Sequence, residues 1–316
     1  MAMIAGKAGG LLKNDLSFER SGERVCAWFL APVSVYPLVV CRIGLGAVMF
    51  LAYLHYAPHL ETLLGDDGLV VYLRGFTFQS EPKNLYWYVF ALLLVSALSF
   101  CLGFFTRSSA IVLVLCHRFF LPLSEHFTWG WSFLINGFIL YTAFSQAGLY
   151  YSLDQQRKKK KDPAFEFSGT TSAWPLRLIQ IHICMIYIAA SWHRFDNPEW
   201  LLGEKVFVAA TLPVFARFLQ VNWLPFKSLF EIASYVALAI EVLAPLCLWF
   251  KRIGAWFAVG LIVMHVLIEV VAMVGWWSPM MCVLLFVFLP AQVSHTVLEK
   301  ILGGFVLKSH KNMRGA

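Results

Sequence analysis

Eight stretches of this chain, roughly 33–54, 85–105, 108–124, 129–151, 175–193, 228–249, 253–274 and 277–293, are apolar over lengths close to the ~20 residues a helix needs to cross a bilayer. Few folds tolerate that pattern. In lipid every backbone N–H and C=O must be paired within the protein, so only helices and closed barrels span, and runs of this length select the helix. The expected fold class is an all-α polytopic integral membrane protein with about eight transmembrane helices in one bundle. The composition agrees, with 14% charged residues and 59% hydrophobic ones, where soluble domains carry about 25% charged residues. The expected organisation is a tail over 1–32, a transmembrane domain over 33–293 and a second tail over 294–316, with no internal repeat. The opening "MAMIAGKAGGLLKNDLSFER" lacks a signal-peptide core and cleavage site and reads as a retained tail.

Charge orients these spans. Five consecutive basic residues, Arg157 to Lys161, sit in the connector after the fourth span. Such a run binds anionic lipid headgroups or, more simply, holds its loop in the cytoplasm. With that loop inside, sixteen basic residues fall on the cytoplasmic side, both tails among them. Arg74, Lys83, Arg194, Lys205, Arg217 and Lys227 fall outside, and Arg42, Arg118 and Arg177 lie within or at the edge of spans. Both termini are therefore expected in the cytoplasm, with Trp87, Trp129, Trp192 and Trp276 near the interfaces. The stretches 55–84 and 194–227 face outward together with Asp66, Asp67, Asp196 and Glu199. The partner this implies is the lipid bilayer. The excess of basic over acidic residues, 25 against 18, comes without a basic motif interleaved with aromatics, so no nucleic acid is expected. The seven cysteines are scattered without a CxxC pair, so neither a zinc nor a dithiol motif is present.

Polar groups at membrane depth are costly and point to function by default. In the fifth span, "RLIQIHICMIYIAASWHRF", a turn of 100° per residue places Gln180, Tyr187, Ser191 and Arg194 on one face. His182 and His193 fall on nearly the opposite one. This seam forms a site or serves as polar glue between helices, and Arg194 alone also suits snorkelling to the interface. In the seventh span His265 and Glu269 are one turn apart, the spacing of an acid–base pair or a structural clasp. That pair offers at most two metal ligands, so no metal is assigned. Glu241, deep in the sixth span, needs a partner or a proton; Arg42, His117 and Arg118 are candidates. The segment Leu202–Gln220, broken by Pro213, reads as an interfacial or re-entrant element.

The order of these features resembles a known module. Arg42 with its glycines, "LGFFTRSS" from Leu102, "SQAGLYYSLD" from Ser145, Gln180, Tyr187, "HRF" with Trp200 and Gly203, then Glu241, His265 and "FLP" at Phe288 together resemble the HTTM membrane domain. That domain is shared by vitamin K-dependent γ-glutamyl carboxylases and sporulation-delaying-type proteins of bacteria, which help mature secreted peptide toxins. The resemblance covers roughly 30–292. It implies a membrane enzyme or maturation factor, in a bacterial cytoplasmic membrane, with a lipid-soluble quinol as the cofactor of the carboxylase branch. In that branch a lysine near the outer end of the fifth-span helix deprotonates the hydroquinone. The matching position here is Arg194, and guanidinium stays protonated in proteins. The fourth span also lacks a histidine after Trp131 where the carboxylase pattern has one. The chain ends soon after its last span, so no large lumenal domain is expected.

Three readings follow. In the first, the protein modifies or assists maturation of a secreted peptide, with His265, Glu269 and Arg194 as the reacting set and Gln180, Tyr187, His193, Glu241, Arg42 and Trp200 lining the site. In the second it is a non-catalytic partner of another membrane subunit, such as an immunity or assembly protein. In the third it is a quinone-linked protein or proton-coupled transporter, though no inverted repeat or paired broken helices are found.

Overall fold

The computed structural model describes residues 22–65, 85–121 and 130–312, with side chains in the last helix described to residue 303. Asp66, Asp67, Trp129, the first 21 residues and the last four lie outside the described residues. Among the described residues, five helices are long and apolar enough to cross a membrane: Tyr36–Leu64, Leu85–Leu102, Trp174–Phe195, Leu224–Cys247 and Gly254–Val271.

The other expected spans are shorter as helices: Thr106–Phe120, Gly130–Ala143, and Trp277–Leu284 continued by a 3-10 turn over Leu285–Phe288. At 1.5 Å per residue, the 14 described residues of Gly130–Ala143 account for ~21 Å of the ~30 Å hydrocarbon, with residues 122–129 outside the described ones. The reason is visible in the backbone. The apolar run continues through Phe144–Tyr151, but as a bend and a 3-10 turn over Ala147–Leu149. Hydropathy counts apolar residues whether or not they are helical.

Arg42 explains why that turn is stable. Fully buried on the helix Tyr36–Tyr56, it donates from Nη1 to the carbonyls of Ala147 (2.7 Å) and Tyr150 (3.0 Å) and from Nη2 to that of Tyr151 (2.6 Å). Three carbonyls of this turn thus find a charged donor, of which only that of Ala147 also accepts from a backbone N–H, Tyr150 N at 3.4 Å; an unpaired buried carbonyl costs about 1–3 kcal/mol. Gly103, at φ +66°, lies against the same guanidinium, and a Cβ there would collide with Ser152. The connector after this turn holds a nine-residue helix, Leu153–Lys161, with Ser152 Oγ accepting from Gln155 N as its N-cap. A short antiparallel ribbon then pairs Pro32–Ser34 with Thr170–Ser172.

This ribbon starts two long helices, Tyr36–Tyr56 and Trp174–Phe195, at the same end, each with proline in its first turn, where a missing N–H is harmless. Trp28 stacks near Trp249, Trp249 meets Phe288, and Tyr36 meets His295. The basic helix, Arg107 and the Lys251–Arg252 turn therefore gather at the ribbon end, and the stretch after Phe195 lies at the opposite one. Elsewhere the helices pack through one buried apolar cluster that includes Leu45, Met49, Phe100, Leu113, Ile139 and Ile183. Gly46 lets two helix backbones approach closely: a Cβ there would lie 2.7 Å from the Cys101 backbone, as small-residue helix contacts in membranes require.

Candidate functional site

The helix Trp174–Phe195 carries the polar seam. Gln180, Tyr187 and Ser191 are buried, and Arg194 lies at its C-terminal end. Its last residues pass into a short turn, Pro198–Leu201, capped by Asn197 Oδ1 accepting from Glu199 N at 2.9 Å. That reversal swings Trp200 back over Arg194, whose guanidinium carbon lies 4.1 Å from the ring centroid. Gly203, at φ +75°, then runs against the Tyr235 ring, where a side chain would not fit. Tyr235 in turn donates to the Leu201 carbonyl at 3.2 Å. The turn is thereby pinned to the helix Lys227–Cys247.

That helix also supplies Glu241, which forms an ion pair with Arg194 Nη1; the side chains are 4% and 19% exposed respectively. A carboxylate this deep needs its partner, because removing one member of a buried pair strands the other charge. Arg194 also sits in the last turn of its helix, where the dipole favours a cation. The candidate partners Arg42 and Arg118 are not the ones used. Arg42 lies six residues into a helix that starts at the ribbon, whereas Arg194 is twenty residues into another that starts there. The two are roughly 20 Å apart along the axis at 1.5 Å per residue. Arg42 thus belongs to the opposite end, and His117 pairs through Nδ1 with Asn136 Oδ1 at 2.8 Å.

Two turns below Arg194 on the same face, the Tyr187 hydroxyl meets His265 Nε2 at 3.2 Å. Both are buried. Which atom carries the proton depends on the histidine tautomer. His265 Nδ1 and Ser191 Oγ are also buried, and neither has a hydrogen-bond partner among the described residues. Buried polar atoms left this way are few in native proteins and call for an explanation.

Glu269, one helical turn from His265, bonds Arg217 instead of the imidazole. Its Oε1 accepts from Arg217 Nη2 at 2.8 Å, and its backbone carbonyl accepts from Arg217 Nε at 3.0 Å. The helix Lys205–Thr211 stops just before Pro213, as the residue preceding a proline disfavours. The chain beyond is stitched to the end of Gly254–Val271 by an Ala216–Ala272 bridge and a bond from Met273 N to Phe215 O. Arg217 therefore fastens the segment Leu202–Gln220 and captures Glu269 as it does so. The sequence held one signal for it: Arg217 is the only charged residue between Val206 and Phe226.

Gln180 lies deeper, and its amide is already used. Its Oε1 accepts from Arg177 Nη1 at 2.9 Å, and its Nε2 donates to the Val287 carbonyl at 2.8 Å. His193 is exposed beside Trp192 on the side of the helix away from Tyr187 and Ser191. His182 packs on Phe138 instead. The structure thus brings together Arg194, Glu241 and Trp200, with Tyr187, His265 and Ser191 beneath them. Gln180 and Glu269 are engaged by Arg177, Val287 and Arg217, His193 is exposed on another side of the helix, and Arg42 lies at the ribbon end. Among the described residues no three His, Cys, Asp or Glu side chains approach as metal ligands would.

Chemically, Arg194 can orient an anion but cannot accept a proton. A tyrosine–histidine contact can move one. A family model described as the HTTM domain matches residues 30–292 of this chain. No curated protein and no solved structure matches it.

Proposed function

This chain belongs to the HTTM domain family, and from that premise we propose that it modifies, or assists the maturation of, a secreted peptide at the extracytoplasmic face of the membrane. One observation carries the reading: the buried Tyr187–His265 contact under the Arg194–Glu241 pair, with His265 Nδ1 and Ser191 Oγ unpartnered among the described residues. Gathering these groups at membrane depth is costly, and spare polar atoms beside them suit a ligand that brings its own donors and acceptors. A peptide carboxylate entering at Trp200 would share Arg194 with Glu241, and His265 would take or return a proton through Tyr187.

The basic helix Leu153–Lys161, Arg107 and Lys251–Arg252 gather at the other end of the molecule. Basic residues favour the cytoplasmic side, which turns the Arg194 end outward. The hydroquinone chemistry of the carboxylase branch does not fit this position. It needs a base where Arg194 stands protonated and ion-paired, so no step through a quinol is derived.

A second reading has its own support. The Arg194–Glu241 and Arg217–Glu269 pairs and the Gln180–Val287 bond each tie neighbouring elements together, as a non-catalytic membrane partner would need. The experiment that separates the two follows a peptide substrate in cells carrying Arg194→Lys or His265→Ala. The maturation reading expects both to abolish processing while the protein stays in the membrane at normal level. Full processing in both variants, with loss only when helix packing is broken at Gly44 or Gly46, would favour the partner.

A further inference from the structure

The lysine run, read above as a topology signal, has a structure that topology alone does not require. Gln155 Oε1 accepts from Tyr151 N at 2.9 Å, which adds to the Ser152 cap and fixes where the helix Leu153–Lys161 begins. Asp154 reaches sideways and accepts from Phe105 N (2.9 Å), Thr106 N (2.8 Å) and Thr106 Oγ1 (2.9 Å). It thereby docks the basic helix against the start of Thr106–Phe120 and uses its own charge in doing so. Aromatic faces then hold the cations: the Arg157 guanidinium lies 4.0 Å from the Phe105 ring centroid, and Lys158 Nζ lies 3.7 Å from that of Phe165.

Between these helices lies a cavity of about 530 Å³, within the size range of small-ligand sites. Arg107, Arg157, Lys158 and Lys161 line it against a single carboxylate, Asp154. Among the described residues Arg107, Lys158 and Lys161 form no ion pair, and Arg157 reaches only Asp154, at 3.7 Å. Four clustered cations repel one another, so the arrangement favours an anionic occupant. The surface beside it decides which kind: Leu102, Phe104, Phe105 and Phe144 are exposed apolar residues at the same end. A soluble anion has no use for them, whereas acyl chains do.

We infer that this cavity binds the phosphate headgroup of an anionic phospholipid, with the acyl chains laid along Leu102, Phe104 and Phe144. The site is at the opposite end from Arg194 and is independent of the reaction proposed there.

The test is native mass spectrometry of the full-length protein released from neutral detergent micelles, with dioleoyl phosphatidylglycerol and dioleoyl phosphatidylcholine offered at equal concentration. Phosphatidylglycerol adducts are expected to exceed phosphatidylcholine adducts about tenfold. A basic residue near an anionic headgroup is worth roughly fivefold in binding, so Arg157→Gln with Lys161→Gln should weaken the first lipid by ten- to thirtyfold. Lys161→Gln alone, in the exposed last turn, should cost about fivefold without disturbing the fold. Lys251→Gln with Arg252→Gln, basic residues of the same end outside the cavity, should change nothing. Equal binding of the two lipids, or an equal loss in the Lys251/Arg252 control, overturns the assignment. Inorganic phosphate that binds the delipidated protein and displaces the lipid at millimolar concentration would identify a free-phosphate site and overturn it as well.

Discussion

Replacing Glu241 with glutamine removes a carboxylate but keeps its size, and so isolates the charge that holds Arg194. Breaking a buried ion pair from one side costs about 3–5 kcal/mol, because the remaining charge stays desolvated. Two features lower that figure here. Arg194 keeps its stack on Trp200, an interaction of about 0.5–2 kcal/mol. Its side chain is also 19% exposed, so the guanidinium can extend toward the water boundary. Glu241→Gln is therefore expected to cost about 2–3 kcal/mol. Arg194→Gln should cost at least as much, since the Glu241 side chain is only 4% exposed. With both residues changed no charge is stranded, and the double variant should be more stable than the sum of the two losses allows by on the order of 2 kcal/mol. Reversible unfolding in mixed micelles measures all four proteins. If the two losses add to within about 0.5 kcal/mol, the pair does not contribute as an interaction and the reasoning fails.

Other expectations rest on different contacts. Arg42→Met takes the donor from the Tyr150 and Tyr151 carbonyls, while Ala147 keeps its backbone bond, and should destabilise by about 2 kcal/mol or more in the same micelle assay. Gly46→Leu forces a side chain into the Cys101 backbone, and loss of folded, detergent-extractable protein is the expected readout. Glu269→Gln should cost less than about 1 kcal/mol, because the Arg217 pair is partly exposed; a loss comparable with Glu241→Gln would show that Glu269 has a buried role. Orientation is checked by thiol labelling of intact cells. A cysteine at Asp196 should react with an impermeant reagent, and one at Lys160 should react only after the membrane is opened.

How far the sequence reached depended on the kind of question. Within one helix, a 100° turn per residue put Gln180, Tyr187 and Ser191 on one face and His193 off it, and the structure buries the first three and exposes the last. Periodicity says nothing, however, about which helices are neighbours. The partner of Glu241 is Arg194 because Lys227–Cys247 packs against Trp174–Phe195. His265 meets Tyr187 rather than Glu269 for the same kind of reason. An i,i+4 spacing allows a contact, but Arg217, arriving from a segment 52 residues away, takes the carboxylate first. Hydropathy overstates helix length where apolar sequence continues without helical backbone, as in Phe144–Tyr151. What permits that departure is the buried Arg42, whose three carbonyl bonds come from residues more than a hundred positions away.

The central claim is that the Arg194 end acts on a secreted peptide, and the most direct measurement is intact-mass spectrometry of secreted and surface peptides. It compares cells with the gene, cells without it, and cells carrying Arg194→Ala. The account predicts one peptide whose mass or terminus changes in the same way in the deletion and in the point variant, with the variant protein still present in the membrane. Identical peptide masses in all three, with the protein folded and expressed, would contradict it.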